Sequence, residues 1–537
     1  MGDRECRWQS RAAFACGLGL VLGVGLVLVG CEHGGGGGGA PGDPPGDQPA
    51  FPLLGGHVEQ HAITDGVLGF REVFAAGDEL FEVAFNALDG AGIARLPDGT
   101  PLPERFSRRP PGGGRFTGPN AQACLACHNR PFPTSAGEAA GNVLQDPARD
   151  GQGPFNARNP TSLFGAGVLQ RLAEEMTEEL WAIRDAALAR AVPGGSPVSA
   201  PLIAKGVSFG EIRVAKDAAG AVTVDTSGVE GVDPDLVVRP YGWKGNVTAL
   251  RDFCRGAASD ELGMEPEELV AKDPLGRADP DGDGVQGELS VGDITAITIY
   301  VAAQEIPQPL ERLVRERLLP PPTAERARLA SRGRVLFEGI GCAACHLPEL
   351  RLADPVFEEP TLRGRGNYLD LELDPAASGL DPARPLRVHL VREGDFPRLE
   401  PHPDGGARVR LFGDLKRHRM GRQLADAQPT PVRGADGRPL EIDGQPVAVE
   451  PAVFLTAELW GVGSTGPWLH DGRAGTLEEA ILLHGEDDPP PVGDPGRSEA
   501  QPARDAFAAL GAEDRLAVVE LLRSLVLFEN PEGEEDD

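Results

Sequence analysis

The chain has 537 residues, 40% of them hydrophobic, and a formal net charge of −31. That length allows two or three domains with substantial cores, and the charge excludes nucleic acid as a partner, because a phosphate backbone needs a basic face. A basic protein or a small neutral substrate fits the acidity better, as does simple solubility. Gly and Pro are abundant, at 72 and 50, which points to long loops between modest helices.

Residues 1–30 read as a signal peptide, with Arg4, Arg7 and Arg11 ahead of an apolar run from Ala12 to Val29. The run ends Leu28-Val29-Gly30-Cys31, which resembles a bacterial lipobox. Cleavage before Cys31 and lipidation of its thiol are therefore expected; an ordinary signal peptide or an uncleaved anchor helix are the alternatives. Residues 31–65 form a flexible tether, Gly-rich at Gly34–Gly39. The expected location is the periplasmic face of a bacterial membrane, held there by the lipid.

A first domain is expected over 66–318. Gly77, Phe81 and Phe85 recur every four residues, which puts them on one helix face. A Gly/Pro/Arg-rich loop leads to Cys124-Leu125-Ala126-Cys127-His128, and the chain holds a twin of that stretch at Cys342-Ala343-Ala344-Cys345-His346. The C-x-x-C-H pattern attaches c-type haem: each thiol forms a thioether to the porphyrin edge, and the histidine ligates the iron from below. A redox C-x-x-C or half of a zinc site uses the same residues. Two copies, each with its trailing His and both behind an export signal, favour two haem c groups. Cys6 and Cys16 leave with the signal, so only Cys254 remains, expected as a small buried apolar residue.

Further along come Arg158–Gly167, a helix predicted at Leu172–Arg190, a small β hairpin over Val207–Val224, and Tyr241-Gly242-Trp243-Lys244-Gly245 leading into a helix at about Val247–Ala258. In Asp279–Glu288, carboxylates at positions 1, 3 and 5 with Gly at 6 match the first half of a Ca²⁺ loop. Position 12 is Ser290 rather than Glu, so one Ca²⁺ on Asp279, Asp281, Asp283 and Glu288 stands against a solvated acidic turn. Pro307–Pro322 reads as a connector to a second domain over 319–530. There Gly333 and Phe337 sit on a helix predicted at Thr323–Glu338, just before Cys342, and Asp514–Leu527 is an amphipathic closing helix. Residues 531–537 form an acidic tail. The fold class is mainly α: two cytochrome c-like haem domains with long irregular loops and a small β hairpin.

The sixth position of each iron decides the chemistry, since a closed one favours electron transfer and an open one admits substrate. No histidine lies between His128 and His346, so the first haem has no distal His nearby; Met176 and Met264 are local donors, each equally explained by packing. Near the second haem, a helix beginning at Thr476 would carry Leu477, Ile481 and His484 along one face, with Thr476 as N-cap. A satisfied core His fits that face too.

The two C-x-x-C-H motifs, Arg158–Gly167, Gly242-Trp243-Lys244, the acidic loop, Asp414–Gly421, Leu459–Gly461 and Leu469–His484 together resemble the bacterial di-haem cytochrome c peroxidase superfamily, most of all its di-haem oxidoreductase and peroxidase branch. The resemblance covers about 70–528. It implies that His484 stands where the peroxidases have the Met that ligates the C-terminal haem, and where a related tryptophylquinone-maturing enzyme has Tyr; His346/His484 coordination follows from it. Met420 or His418 would reach the other haem or a propionate, with packing as the alternative. The chain departs from the family in flanking His418 with Arg417 and Arg419. The resemblance further implies electron flow from the C-terminal to the N-terminal haem, where hydrogen peroxide or another small oxidant is reduced with help from a distal acid. Glu174 and Glu175 are the nearest candidates, and a solvated helix face explains both as well. Trp243 would lie between the haems as a relay, or in the core. The electron donor would be a small periplasmic cytochrome or cupredoxin. A non-catalytic di-haem electron carrier, a protein-modifying oxidase and a binding lipoprotein are the other readings.

Overall fold

Two helix pairs of the same design hold the two C-x-x-C-H turns. The structure, a computed structural model, describes residues 52–91, 121–138, 143–145, 154–271, 276–280, 282–361, 378–391, 398–433, 439–442 and 444–529. All of these belong to one unit, Phe51–Asp537. The expected signal peptide, Cys31 and the acidic tail lie outside the described residues. The principal helices are α1 (Phe70–Glu82), α2 (Ala166–Arg190), α3 (Leu250–Ala257), α4 (Val291–Ala302), α5 (Ala324–Gly339), α6 (Leu477–Leu482) and α7 (Ala512–Arg523).

In the first pair α1 packs on α4. A Cβ on Gly77 would fall on the Ala296 carbonyl, so only glycine lets the two backbones come this close. One turn later the Phe81 ring lies 6.3 Å from the His128 ring at 54°. In the second pair α5 packs on α7. There Gly333 meets the Ala517 carbonyl, and Phe337 lies 6.4 Å from His346 at 53°. Gly333 stands close before its cysteines and Gly77 far before its own, yet the fold delivers the same geometry twice.

Helix α4 has no counterpart in the sequence reading. Every residue from Val291 to Ala302 is buried, so no polar stripe marks its period. Ser290 and Asp293 form a capping box at its start. Asp293 also accepts from Val58 N at 2.8 Å and pairs with His57 Nδ1 at 2.7 Å. The chain thus docks before residue 66, the expected end of the flexible tether, because the α4 N-terminus captures it.

The expected hairpin is a three-stranded antiparallel sheet of β1 (Val198–Ala204), β2 (Val207–Lys216) and β3 (Val222–Asp225), with β2 in the centre. Strand β1 buries Ala200, Leu202 and Ala204 on one face. Pro201 obscures it in the sequence and is tolerated because β1 is an edge strand. The larger core surrounds α1, α2 and α4 and also takes in Leu350, Phe357, Val388 and Trp460 from the second half of the chain. A smaller core gathers Phe337, Phe412, Leu477, Phe507 and Leu521 around the second motif. Among the described residues no helix is long and apolar enough to cross a membrane.

The helix contact predicts a contrast within α5. Gly333→Ala must push α7 away and is expected to cost about 1–3 kcal/mol. At Gly339 nothing lies within 4 Å of an added Cβ, so Gly339→Ala is expected to be neutral or to stabilise by up to ~1 kcal/mol. Thermal unfolding of both variants checks this, and equal effects would refute the close approach.

Candidate functional site

Cys124–Ala126 forms a single tight turn that presents both thiols of the first motif to one side, and His128 follows it into the interior. The Nδ1 of His128 lies 3.1 Å from Ser135 O and 3.0 Å from Thr161 O. Carbonyls only accept, so Nδ1 carries the proton and Nε2 is left as a lone pair for a metal. Burial holds the pKa of His128 below its ordinary value, against the pull of the two carbonyls. The imidazole is therefore neutral, as metal binding requires.

A cavity of about 350 Å³ opens against this turn, lined by Cys124, Cys127 and His128. Among the described residues lining it there is no second histidine and no methionine. Met176 and Met264 are buried in the core instead. One wall is Arg158–Thr161 together with Trp243 and Lys244; Gly242, at φ +75°, makes the turn that presents these two side chains. Trp243 Nε1 donates to Asn159 O at 2.8 Å. Arg158 grips Asp426 with both nitrogens, at 2.8 and 2.7 Å, and Lys244 Nζ lies 3.0 Å from the same carboxylate. Burial works against it, but Arg158 and Lys244 hold Asp426 below the usual carboxylate range.

The opposite wall comes from α3 and the π turn after it, Ala258–Leu262. Asp252, Phe253, Gly256, Ala257, Asp260 and Glu261 line the cavity, a single helical face with small residues in the middle. These carboxylates went unread in the sequence; a face acidic at both ends and empty at its centre was the available signal. Burial pushes Asp252 up to about 7, against the opposing charge of Arg255 at 2.7 Å. Asp260 pairs with Arg433 at 2.8 Å. Cys254, buried as expected, also lines the cavity.

The structure does not bring Glu174 and Glu175 to this cavity. Both are buried on α2. Glu174 pairs with Arg171; Glu175 accepts from Lys205 Nζ at 2.5 Å and from the backbone N–H groups of Ala353 and Asp354 at 2.9 and 2.8 Å. Glu175 thereby joins α2 to the second half of the chain.

At the second motif two imidazoles face each other. The His346 and His484 ring centroids are 6.5 Å apart. His346 Nδ1 lies 3.1 Å from Phe412 O and His484 Nδ1 lies 2.7 Å from Ala480 O, so both rings keep Nε2 free. A metal bound by two imidazoles at ~2 Å separates their centroids by roughly 6.3 Å, so the pair fits one metal ion between them. Burial, reinforced by His484, takes His346 down to about 4, and burial also lowers His484. The expected cap is present: Thr476 Oγ1 accepts from Glu479 N at 3.1 Å.

His418 and Met420 sit elsewhere. His418 Nε2 is 2.8 Å from Asp414 and its Nδ1 is 2.7 Å from Glu499, with Cys345 Sγ at 3.8 Å. Burial opposes protonation, yet hydrogen bonds to Asp414, Cys345 and Glu499 raise His418 to about 11. It is an imidazolium with no lone pair to offer. Met420 follows the short strand Arg417–Arg419 and is not among the residues lining the cavity. In the acidic loop, Asp281 lies outside the described residues. Asp279 accepts from Gly282 N and Gly284 N, Asp283 accepts from Val285 N, and the buried Glu288 accepts from Glu265 N at 2.6 Å. Among the described residues these carboxylates do not converge into a cation site.

No protein-family model matches the chain, and no curated protein does. Solved structures similar to it include the following three. A MauG-like protein associated with microbial copper homeostasis is 17% identical, aligned over 58% of this chain and 78% of its own, with a TM-score of 0.27. Hydrazine synthase from Kuenenia stuttgartiensis is 14% identical over 94% of this chain and 100% of its own, with a TM-score of 0.31. A variant of the diheme peroxidase BthA from Burkholderia thailandensis is 16% identical over 89% and 91%, with a TM-score of 0.32. At these values the likenesses establish neither family nor activity.

The facing imidazoles predict the outcome of two substitutions. With haem bound at both motifs, His484→Ala would turn one low-spin spectrum high-spin and leave the other as it was. His484→Met should keep that haem low-spin and raise its potential, because a Met ligand favours reduced iron. Electron paramagnetic resonance and redox titration check both, and an unshifted spectrum would make His484 a core residue.

Proposed function

We propose that this protein is a di-haem c-type oxidoreductase of peroxidase type, in which a group held at His346 and His484 serves electron transfer and a group held at His128 meets a small oxidant. One observation carries this reading: two motifs with matching helix supports differ on the side facing the histidine. At the second, a half-buried imidazole stands across from His346. At the first, a cavity stands across from His128 with no histidine or methionine among its described lining residues. A haem would be held by Cys124, Cys127 and His128 in one site, and by Cys342, Cys345, His346 and His484 in the other. When bound, haem supplies one-electron chemistry and, where its sixth position is free, a place for the oxidant.

The chain's own groups do the rest. The neutral imidazole of His128 stays aimed by its two carbonyls. Phe253, Val247 and Leu163 line the cavity with apolar surface and limit water. Reduction of a peroxide needs a proton delivered to the departing oxygen. Asp252, Asp260 and Glu261 are the acids on the cavity wall, and Asp252 is the first choice because burial keeps it protonated to about pH 7. Lys244 and Arg158, on the facing wall, add positive charge beside the cavity. The direction of electron flow, the periplasmic cytochrome or cupredoxin donor, the lipid anchor, Trp243 as relay and a Ca²⁺ ion remain part of the proposal.

Purified protein should show covalent haem by pyridine haemochrome, one high-spin iron, and hydrogen peroxide turnover after half-reduction. Two firmly low-spin irons with no cyanide binding would make it an electron carrier instead. Asp252→Asn should lower turnover by about 10²-fold or more. It should also remove a fall in rate as pH rises through about 7, where the acid form of Asp252 is lost. The stability sign is the same: the raised pKa makes the group's contribution complete below its unfolded value and lost as pH rises through about 7. Unchanged turnover in Asp252→Asn would move the role to Glu261, tested by Glu261→Gln.

A further inference from the structure

The loop and helix that carry His484 occur twice in the fold. In one copy Tyr241 N donates to Val247 O at 3.2 Å, Val247 N donates back to Tyr241 O at 3.4 Å, and Gly245 N donates to Gly242 O at 2.9 Å. In the other Trp468 N donates to Ala474 O at 3.0 Å, Ala474 N to Trp468 O at 3.3 Å, and Gly472 N to Leu469 O at 3.0 Å. The backbone angles match as well. Gly242 and Leu469 stand at φ +75° and +74°, and Gly245 and Gly472 at +56° and +68°. A leucine rarely enters that region, so at Leu469 the shape of the turn overrides local preference. Each loop then leads into a helix, α3 from Leu250 and α6 from Leu477.

The register between the copies is continuous. At one displacement along the chain Tyr241 falls on Trp468, Gly245 on Gly472, Val247 on Ala474 and Leu250 on Leu477; at the same displacement Ala257 falls on His484. The matched residues Trp243 and His470 meet, their rings edge-on at 6.5 Å, as equivalent positions do across a two-fold contact. At the second site α6 aims its own ligand, His484 Nδ1 lying 2.7 Å from Ala480 O four residues back. The carbonyl at that place in α3 belongs to Phe253, and Phe253, Gly256 and Ala257 line the cavity with His128. The first site thus has the backbone that delivers a distal imidazole, with a methyl group where the imidazole would begin.

We propose that Ala257 is the residue that sets the coordination of the first site: it occupies the sixth-ligand position of the repeat and leaves that position to a small exogenous ligand. The proposal rests on the di-haem reading above and deepens it. A methyl group has no lone pair and ends at Cβ, whereas an imidazole in its place carries an acceptor nitrogen out to Nε2. A closed sixth position favours electron transfer and an open one admits a ligand, so this one side chain separates the two kinds of site. Ala257 is half-buried at the cavity surface, and a longer side chain there extends into the cavity rather than into packed core.

The test uses full-length holoprotein, with electron paramagnetic resonance of the oxidised form and equilibrium cyanide binding as readouts. Ala257→His should turn the high-spin iron low-spin, raise its cyanide dissociation constant about tenfold or more, and leave the spectrum of the other haem unchanged. Ala257→Met, unbranched and flexible, should also give a low-spin iron and keeps the test open if the histidine variant misfolds. Ala257→Leu supplies bulk without a lone pair and should leave the iron high-spin, which separates ligation from crowding. Gly256→His puts the same ring one residue out of register. The nearest atom to a Cβ there is an Arg433 guanidinium nitrogen at 3.9 Å, so the side chain has room, and the iron should stay high-spin. A high-spin signal unchanged in both Ala257→His and Ala257→Met, or lost equally in Gly256→His or Ala257→Leu, overturns the assignment of residue 257 and leaves the di-haem reading standing. Wild-type protein with no covalent haem, or with both irons low-spin, overturns the reading and the assignment together.

Discussion

Among the described residues three imidazoles are held at Nδ1 by backbone carbonyls, and what each offers in return is a free Nε2. Everything else at the two sites depends on that constraint. A neutral, oriented ring in a desolvated pocket is a ligand waiting for a metal; the same ring gripped at both nitrogens by carboxylates is a cation. His418 shows the second case a few ångströms from Cys345, held by Asp414 and Glu499. The difference lies in the partners, not in the residue type.

The two sites share a support and differ in what stands opposite. Each has a glycine at a helix crossing and a phenylalanine one turn on, set against the motif's histidine at nearly the same distance and angle. At the second site a capped six-residue helix delivers His484 across from His346. At the first, α3 brings Gly256 and Ala257 to the middle of the cavity wall, where their lack of bulk leaves room, and acids to its ends. A common scaffold thus yields a filled site and an open one.

The open site is not built by the first half of the chain alone. Arg251, fully buried on α3, pairs with Glu268 and with Glu359, the latter at 2.9 Å and from beyond the second motif. Arg158 and Lys244 converge on Asp426, also from the second half. Removing one member of a buried pair of this kind typically costs about 3–5 kcal/mol, because the other charge is stranded. These pairs hold the cavity walls in place and tie its shape to the rest of the molecule.

The sequence by itself determined the local chemistry. The C-x-x-C-H spacing placed thiols and imidazole on one tight turn, Thr476 capped its helix, and the Gly-to-Phe interval marked the supporting helices, because each of these depends only on neighbours within a turn or two. It was silent where burial is complete or partners are distant. Helix α4 has no polar face to betray its period. Glu174 and Glu175, adjacent to a promising motif, carry charges claimed by Arg171 and Lys205. Asp252, with no motif around it, lines the cavity, while Arg251 and Arg255 of the same helix are buried in ion pairs. Periodicity can say that a face exists, but only packing decides what it faces. So it was the tertiary structure that set an imidazole against His346 and left space against His128.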